Sequence, residues 1–180
     1  MSIVVVGLSH KTAPIEVRER LAFPENKVQD SLDKLHQYSA IGEEVILSTC
    51  NRVEIYAKVD HTQRGAHSIK EFMAHYHGLT FDGLEKYLYN LHTDQAVRHL
   101  FRVSSSLESM IIGESQILGQ VKDAYALAKD LDHTGPFLNQ LFEKAFSVAK
   151  LIRTETGIAK NAVSVSFAAV ELAKKIFGDL

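Results

Sequence analysis

The chain contains one cysteine, Cys50, and its neighbours Ser48, Thr49, Asn51 and Arg52 are polar. A lone cysteine is either a small packed hydrophobe or a reactive thiol, and on composition alone the packed reading is the commoner. Two features favour reactivity. The apolar run 45–47 leads straight into this segment, so the thiol follows a strand end. A guanidinium two residues on would favour the thiolate, the nucleophilic form. Arg52 reads two ways, as a strand residue paired with Glu54 or as a planar fork for a substrate carboxylate. His99 lies beside the apolar face of an expected helix, where a histidine is either incidental or an acid, base or hydrogen-bond donor near neutral pH. His10 and Lys11 carry the same double reading. Between Gly113 and Gln120, two glycines accompany Glu114, Ser115, Gln116 and Gln120. That stretch reads as the capped start of a helix or as a hydrogen-bonding rim for a polar substrate. Its glycine spacing is not that of a P-loop, and no Gly-x-Gly-x-x-Gly fingerprint occurs in the chain. A single cysteine excludes an internal disulfide and a multi-cysteine zinc site. His75 and His77 are two apart and do not share a helix face, so no metal site is expected.

These residues need elements to hold them. Residues 3–6 form a continuous apolar run closed by Gly7, which reads as a buried strand. Pro14 suits the first turn of a helix toward Leu21. A second helix follows Pro24, with Val28, Leu32 and Leu35 on one face. From Val53 the pattern alternates, placing Arg52, Glu54, Tyr56 and Lys58 on an expected open face. A helix is expected over 62–77, a short strand near 87–91, and a helix capped by Thr93 or Asp94 running to about 103. Residues 104–116 read as a structured loop or short helix. Helices follow over 117–131, over 137–153 and over 163–177, with breaks at Gly135-Pro136 and Gly157. Strands in the first half and helices in the second make an α+β protein with a small mixed or antiparallel sheet followed by a helical segment. The apolar face through Val165, Ala169, Leu172 and Ile176 suggests that something further packs there, as in a piece of a longer protein.

The formal net charge of −2 argues against a broad phosphate-neutralising surface, though not against a local basic patch. No apolar run is long enough to span a bilayer. The apolar start lacks a basic leader and a cleavage site, so no membrane association and a cytoplasmic location are expected.

Taken in order, Gly7-Leu8-Ser9-His10-Lys11-Thr12-Ala13-Pro14, Ser48 through Tyr56, His99-Leu100-Phe101-Arg102-Val103 and Ser109 through Gln120 resemble glutamyl-tRNA reductase over essentially the whole chain. The resemblance implies a ferredoxin-like catalytic domain at 1–156. It implies that 157–180 is a linker and the first helix of an NADPH-binding domain otherwise missing here. In that family, glutamate on its tRNA is reduced with NADPH to glutamate 1-semialdehyde for tetrapyrrole synthesis. Cys50 would form a glutamyl thioester, and Thr49, Asn51, Arg52, Ser109, Glu114, Ser115, Gln116 and Gln120 would surround the glutamyl group. His99 matches a position tied to activity, as a base or as a contact to the terminal adenosine. Arg98, Arg102, Lys122, Lys144, Lys150 and Arg153 are candidate tRNA contacts. A regulatory protein or haem is a further partner the reading allows. The family's full-length protein is a homodimer, and this piece is expected to be a monomer. Two rival readings stand beside this one. The first is a cysteine hydrolase pairing Cys50 with His99 or His10, and the second is a non-catalytic tRNA-binding or regulatory module.

Overall fold

The computed structural model describes residues 2–159, 170 and 173–178. Strand β1 (Ser2–Ser9) leads into helix α1 (Ile15–Leu21), and a 3-10 turn (Glu25–Lys27) into α2 (Val28–His36). Strands β2 (Ile41–Ser48) and β3 (Arg52–Val59) form a hairpin, followed by α3 (Thr62–Tyr76), α4 (Phe81–Glu85) and β4 (Tyr89–His92). Three longer helices come next: α5 (Thr93–Ser104), α6 (Gln116–Asp130) and α7 (Pro136–Glu155). The strands lie in the order β2-β3-β1-β4, and every described pairing is antiparallel. That is the β-α-β-β-α-β ferredoxin-like arrangement. The sheet is therefore antiparallel rather than mixed.

Most expected elements are present with shifted ends. Helix α4 was not expected, because five residues are too short to show a period. Thr93 and Asp94 do not cap α5, since the cap position is His92 and makes no side-chain cap bond. The helix expected over 163–177 falls largely outside the described residues.

The alternating pattern of β3 holds, but its second face is not open. Arg52, Glu54 and Tyr56 are buried. The reason lies in the second half of the chain, whose helical segment follows the sheet as expected and covers this face. Phe142 of α7 meets Tyr56 at 5.6 Å between ring centroids and stacks on Tyr125 of α6 at 5.3 Å. The opposite face, through Val59, takes Gly65 of α3, where any Cβ would fall 2.4 Å from a Val59 methyl carbon. One apolar core thus runs through both halves.

A carboxylate fixes α7 to the sheet. Glu43 of β2 accepts hydrogen bonds from the Gly135 and Leu138 backbone N–H groups at 2.9 and 2.7 Å. The first N–H groups of a helix lack internal partners and favour an anion. Glu43 also pairs with Lys58 at 3.2 Å.

Candidate active site around Cys50

Cys50 and Asn51 form the tip of the β2–β3 hairpin. Thr49 N donates to Arg52 O at 2.8 Å, closing the turn. The Thr49 hydroxyl accepts from the backbone N–H groups of Asn51 and Arg52 at 3.2 and 3.1 Å. This leaves the Cys50 thiol exposed. Two outer contacts hold the tip. Arg18 of α1, itself buried, donates to Cys50 O at 3.1 Å and to Ala13 O at 2.8 Å. His10 N donates to Asn51 O at 2.8 Å. The segment after β1 is thereby built against the cysteine turn, and the His10 ring there has a lowered pKa, first from burial and then from Arg52, Lys11 and Arg18.

Beneath the turn lies a buried polar hub centred on Glu54. Its Oε1 accepts from Arg52 Nη1 at 2.6 Å, lies 2.8 Å from His99 Nε2 and accepts from the Tyr89 hydroxyl. Its Oε2 accepts from the Tyr56 hydroxyl. Burial alone would raise the Glu54 pKa, but Arg52 and His99 overcome it and hold the carboxyl well below the usual carboxylate range. Burial and the Glu54 charge push both tyrosines well above their ordinary value. Gly7 makes the hub possible. It stands opposite Glu54 on one side and Tyr89 on the other, so β1 contributes no side chain between them. A Cβ at Gly7 would lie 2.5 Å from Val53 O and 2.8 Å from Glu54 Cγ. The first of these is backbone and cannot yield, so Gly7→Ala is expected to cost roughly 1–3 kcal/mol. Urea unfolding measures it, and an unchanged midpoint would rule the clash out.

The 105–115 loop packs over the Arg52 end of the hub. Arg52 Nη2 donates to Glu108 O at 2.6 Å, and the Glu108 carboxylate pairs with Lys11 and with Arg102 Nε, the latter at 2.5 Å. Ser109, next in sequence, is buried, and its hydroxyl has no partner among the described residues. The Glu114 carbonyl accepts from the Ser106 hydroxyl at 2.6 Å and Arg153 Nη1 at 3.1 Å. Ser115, Gln116 and Gln120 lie exposed at the start of α6.

The structure therefore joins Cys50, Thr49, Asn51 and Arg52 to His99 and the Ser109 segment through one hydrogen-bonded framework. Among the described residues, no hydrogen bond or ion pair ties Ser115, Gln116 or Gln120 to it. Both terminal nitrogens of Arg52 are taken by Glu54 and Glu108, so its fork faces inward rather than toward a substrate carboxylate. Among the described residues no histidine hydrogen bonds the Cys50 sulfur, which removes the resting contact that a Cys–His hydrolase pair would show. Two of the candidate tRNA cations, Arg102 and Arg153, are likewise engaged internally. Sequence reasoning missed Arg18, Glu54 as a hub, Tyr89 and Glu108. Only the hub had a visible signal, a carboxylate inside the apolar alternation of β3. A second grouping, His36, Glu44 and His133, is also assembled from distant positions.

Fold and site together define a ferredoxin-like α+β domain, with helices closing one sheet face, that displays a lone exposed thiol at a hairpin tip. Residues 6–156 match the family described as glutamyl-tRNAGlu reductase, N-terminal domain, and the chain belongs to that family. Proteins named glutamyl-tRNA reductase from Pelobacter propionicus and Geobacter sulfurreducens are 57% and 54% identical over all 180 residues, which make up 41% and 42% of their lengths. A solved structure of glutamyl-tRNA reductase from Methanopyrus kandleri matches with a TM-score of 0.72 at 36% identity, covering 99% of this chain and 41% of that one. The chain thus spans about two fifths of the length of the relatives it matches. No helix among the described residues is long and apolar enough to cross a membrane.

Proposed function

We propose that this chain is the substrate-activating part of a cytoplasmic glutamyl-tRNA reductase serving tetrapyrrole synthesis, and that Cys50 takes the glutamyl group from glutamyl-tRNA. The observation that carries this reading is an exposed thiol on a turn held rigid from three sides, in a chain of this family. The thiolate attacks the ester carbonyl, and a carbon–sulfur bond forms. The carbon–oxygen bond to the terminal ribose breaks, and the tRNA oxygen leaves and takes a proton. The product is a glutamyl thioester, a better hydride acceptor than the ester.

In this reading each site residue has a role. Thr49 shapes the turn. Arg52 and His99 are tied to Glu54 and position the site from beneath. Asn51 flanks the sulfur, and the unpartnered Ser109 hydroxyl offers a hydrogen bond to the glutamyl group. Glu114, Ser115, Gln116 and Gln120 form the outer rim, with Glu114 suited to the α-ammonium. In this reading residues 1–156 form this domain, and 157–180 lead out of it. The residues present do not fit NADPH. The described strands pair antiparallel throughout, with no parallel βαβ unit, and the sequence holds no dinucleotide fingerprint. No hydride step is therefore assigned to this chain.

The test is direct. The chain is mixed with glutamyl-tRNA carrying labelled glutamate, quenched in acid, and its intact mass and tryptic peptides are measured. A glutamyl adduct on the Cys50 peptide is expected. Accelerated release of glutamate without any adduct would favour a hydrolase. Binding of tRNA with neither outcome would favour a non-catalytic module.

A further inference from the structure

Away from Cys50, at the other end of β2, two histidines converge on one carboxylate. His36 is the last residue of α2, Glu44 lies on β2, and His133 lies in the turn between α6 and α7. His36 Nδ1 and His133 Nδ1 stand 2.8 and 2.6 Å from the same oxygen, Glu44 Oε1. One ligating atom from each residue lies within 4.8 Å of the others. The two rings meet edge to face, with centroids 5.4 Å apart. The second nitrogen of His133, Nε2, lies 3.2 Å from Asp33 Oδ1. Glu44 and His133 are both buried, and the backbone fixes them to each other through Glu44 N donating to His133 O at 2.9 Å.

With protons alone, this cluster is poorly balanced. Three N–H···O contacts need three protons on two rings, so one ring is an imidazolium and the other neutral. Set against two carboxylates, the group keeps an excess negative charge. Glu44 Oε2 also remains buried with no hydrogen-bond partner. An unpaired buried carboxylate oxygen is costly.

We propose that His36, Glu44 and His133 bind one first-row divalent cation, zinc foremost, with Asp33 orienting His133 from behind. A dication in place of the two Nδ1 protons leaves both rings neutral and brings the summed charge to zero. Binding through both carboxylate oxygens gives Glu44 Oε2 a partner, and His133 keeps its Nε2 proton for Asp33. Two imidazoles and one carboxylate are a known zinc set with an open fourth position. A carboxylate behind a ligating histidine is the usual outer support. Ligand bonds of about 2.0–2.1 Å at tetrahedral angles separate the donors by roughly 3.3 Å. Glu44 Oε1, now 2.8 and 2.6 Å from the two Nδ1 atoms, must then retreat by roughly 0.5–0.7 Å. The ion would clip α2, β2 and the α6–α7 turn together where the sheet meets the covering helices.

The test uses the whole 180-residue chain, stripped with chelator and dialysed against zinc alone or cobalt alone. One ion retained per chain is expected. The cobalt form should show the strong visible bands of four-coordinate geometry, and the thermal midpoint should rise with zinc. His36 has an exposed side chain, so His36→Ala should fold normally and weaken zinc binding by more than the roughly 10–100-fold that loss of an outer support costs. Asp33→Asn should weaken it by about 10–100-fold. Failure to retain an ion overturns the proposal, and so does retention that His36→Ala and His133→Ala leave unchanged. Either result would leave the cluster as a proton-held clasp.

Discussion

Replacing Cys50 with serine is expected to abolish capture of the glutamyl group, by at least about 10³-fold, while leaving the fold intact. The chemical half of the argument concerns activation. A thiol supplies some thiolate near neutrality unaided, whereas a serine hydroxyl needs a general base within hydrogen-bond reach. Among the described residues none is hydrogen-bonded to the Cys50 side chain. His99 Nε2 is committed to Glu54, and no described histidine hydrogen bonds the Cys50 sulfur. The structural half concerns burial. The side chain is exposed at a hairpin tip, and the turn is closed by Thr49 and by main-chain groups rather than by the sulfur. Stability should therefore stay within about 0.5 kcal/mol of the parent. Adduct yield from labelled glutamyl-tRNA and the urea midpoint are measured on the same preparation. An adduct persisting on the serine variant would place the nucleophile elsewhere. A large stability loss would mean the thiol is a packing group.

What the sequence revealed, and what it hid, follow from the range of the interactions involved. Local signals carried the elements. The apolar run of β1, the alternation of β3 and the stripe Val121, Tyr125 and Ala128 of α6 each encode a period that survives into the fold. The reactive turn was legible for the same reason, since Ser48 through Arg52 are contiguous. Contacts between distant residues were not legible. The alternation put Glu54 and Tyr56 on one face of β3 but gave no sign that Phe142, more than eighty residues on, would cover that face. The choice for Arg52 between a Glu54 partner and a substrate fork therefore stayed open, and the second partner, the Glu108 carbonyl, gave no sign in the sequence. His36, Glu44 and His133 belong to three elements and match no spacing motif. Gly7 looked like a strand terminator, whereas its missing side chain is what admits Glu54 beside Tyr89.

The second large effect is expected at Glu54, a residue that touches no solvent and yet governs the site. Its carboxylate receives Arg52, Tyr56, Tyr89 and His99. In Glu54→Gln, one oxygen becomes an NH₂ group facing donors, and Arg52 is left buried with no counter-charge. Removing one partner of a buried ion pair costs about 3–5 kcal/mol, a large part of the roughly 5–15 kcal/mol that holds a domain folded. The pH dependence separates this cause from a simple packing defect. Burial opposes the charge, but Arg52 and His99 prevail, so the folded pKa lies below the unfolded one. Such a group contributes stability above the unfolded carboxylate value, about 4.3, and loses it as pH falls toward the folded value. The parent should therefore lose stability on acidification more steeply than the variant, and the gap between them should narrow below about pH 4.3. Parallel curves from pH 7 to pH 3 would contradict the ionised hub. Function should follow geometry. With Arg52 and His99 released, the hairpin base beneath Cys50 loses its support, and adduct formation should fall even in conditions where the variant remains folded. Glu54→Asp keeps the charge but shortens the reach, and it should recover the acid slope more fully than the transfer rate. That split between electrostatics and positioning is what a hub acting through Arg52 and His99 requires.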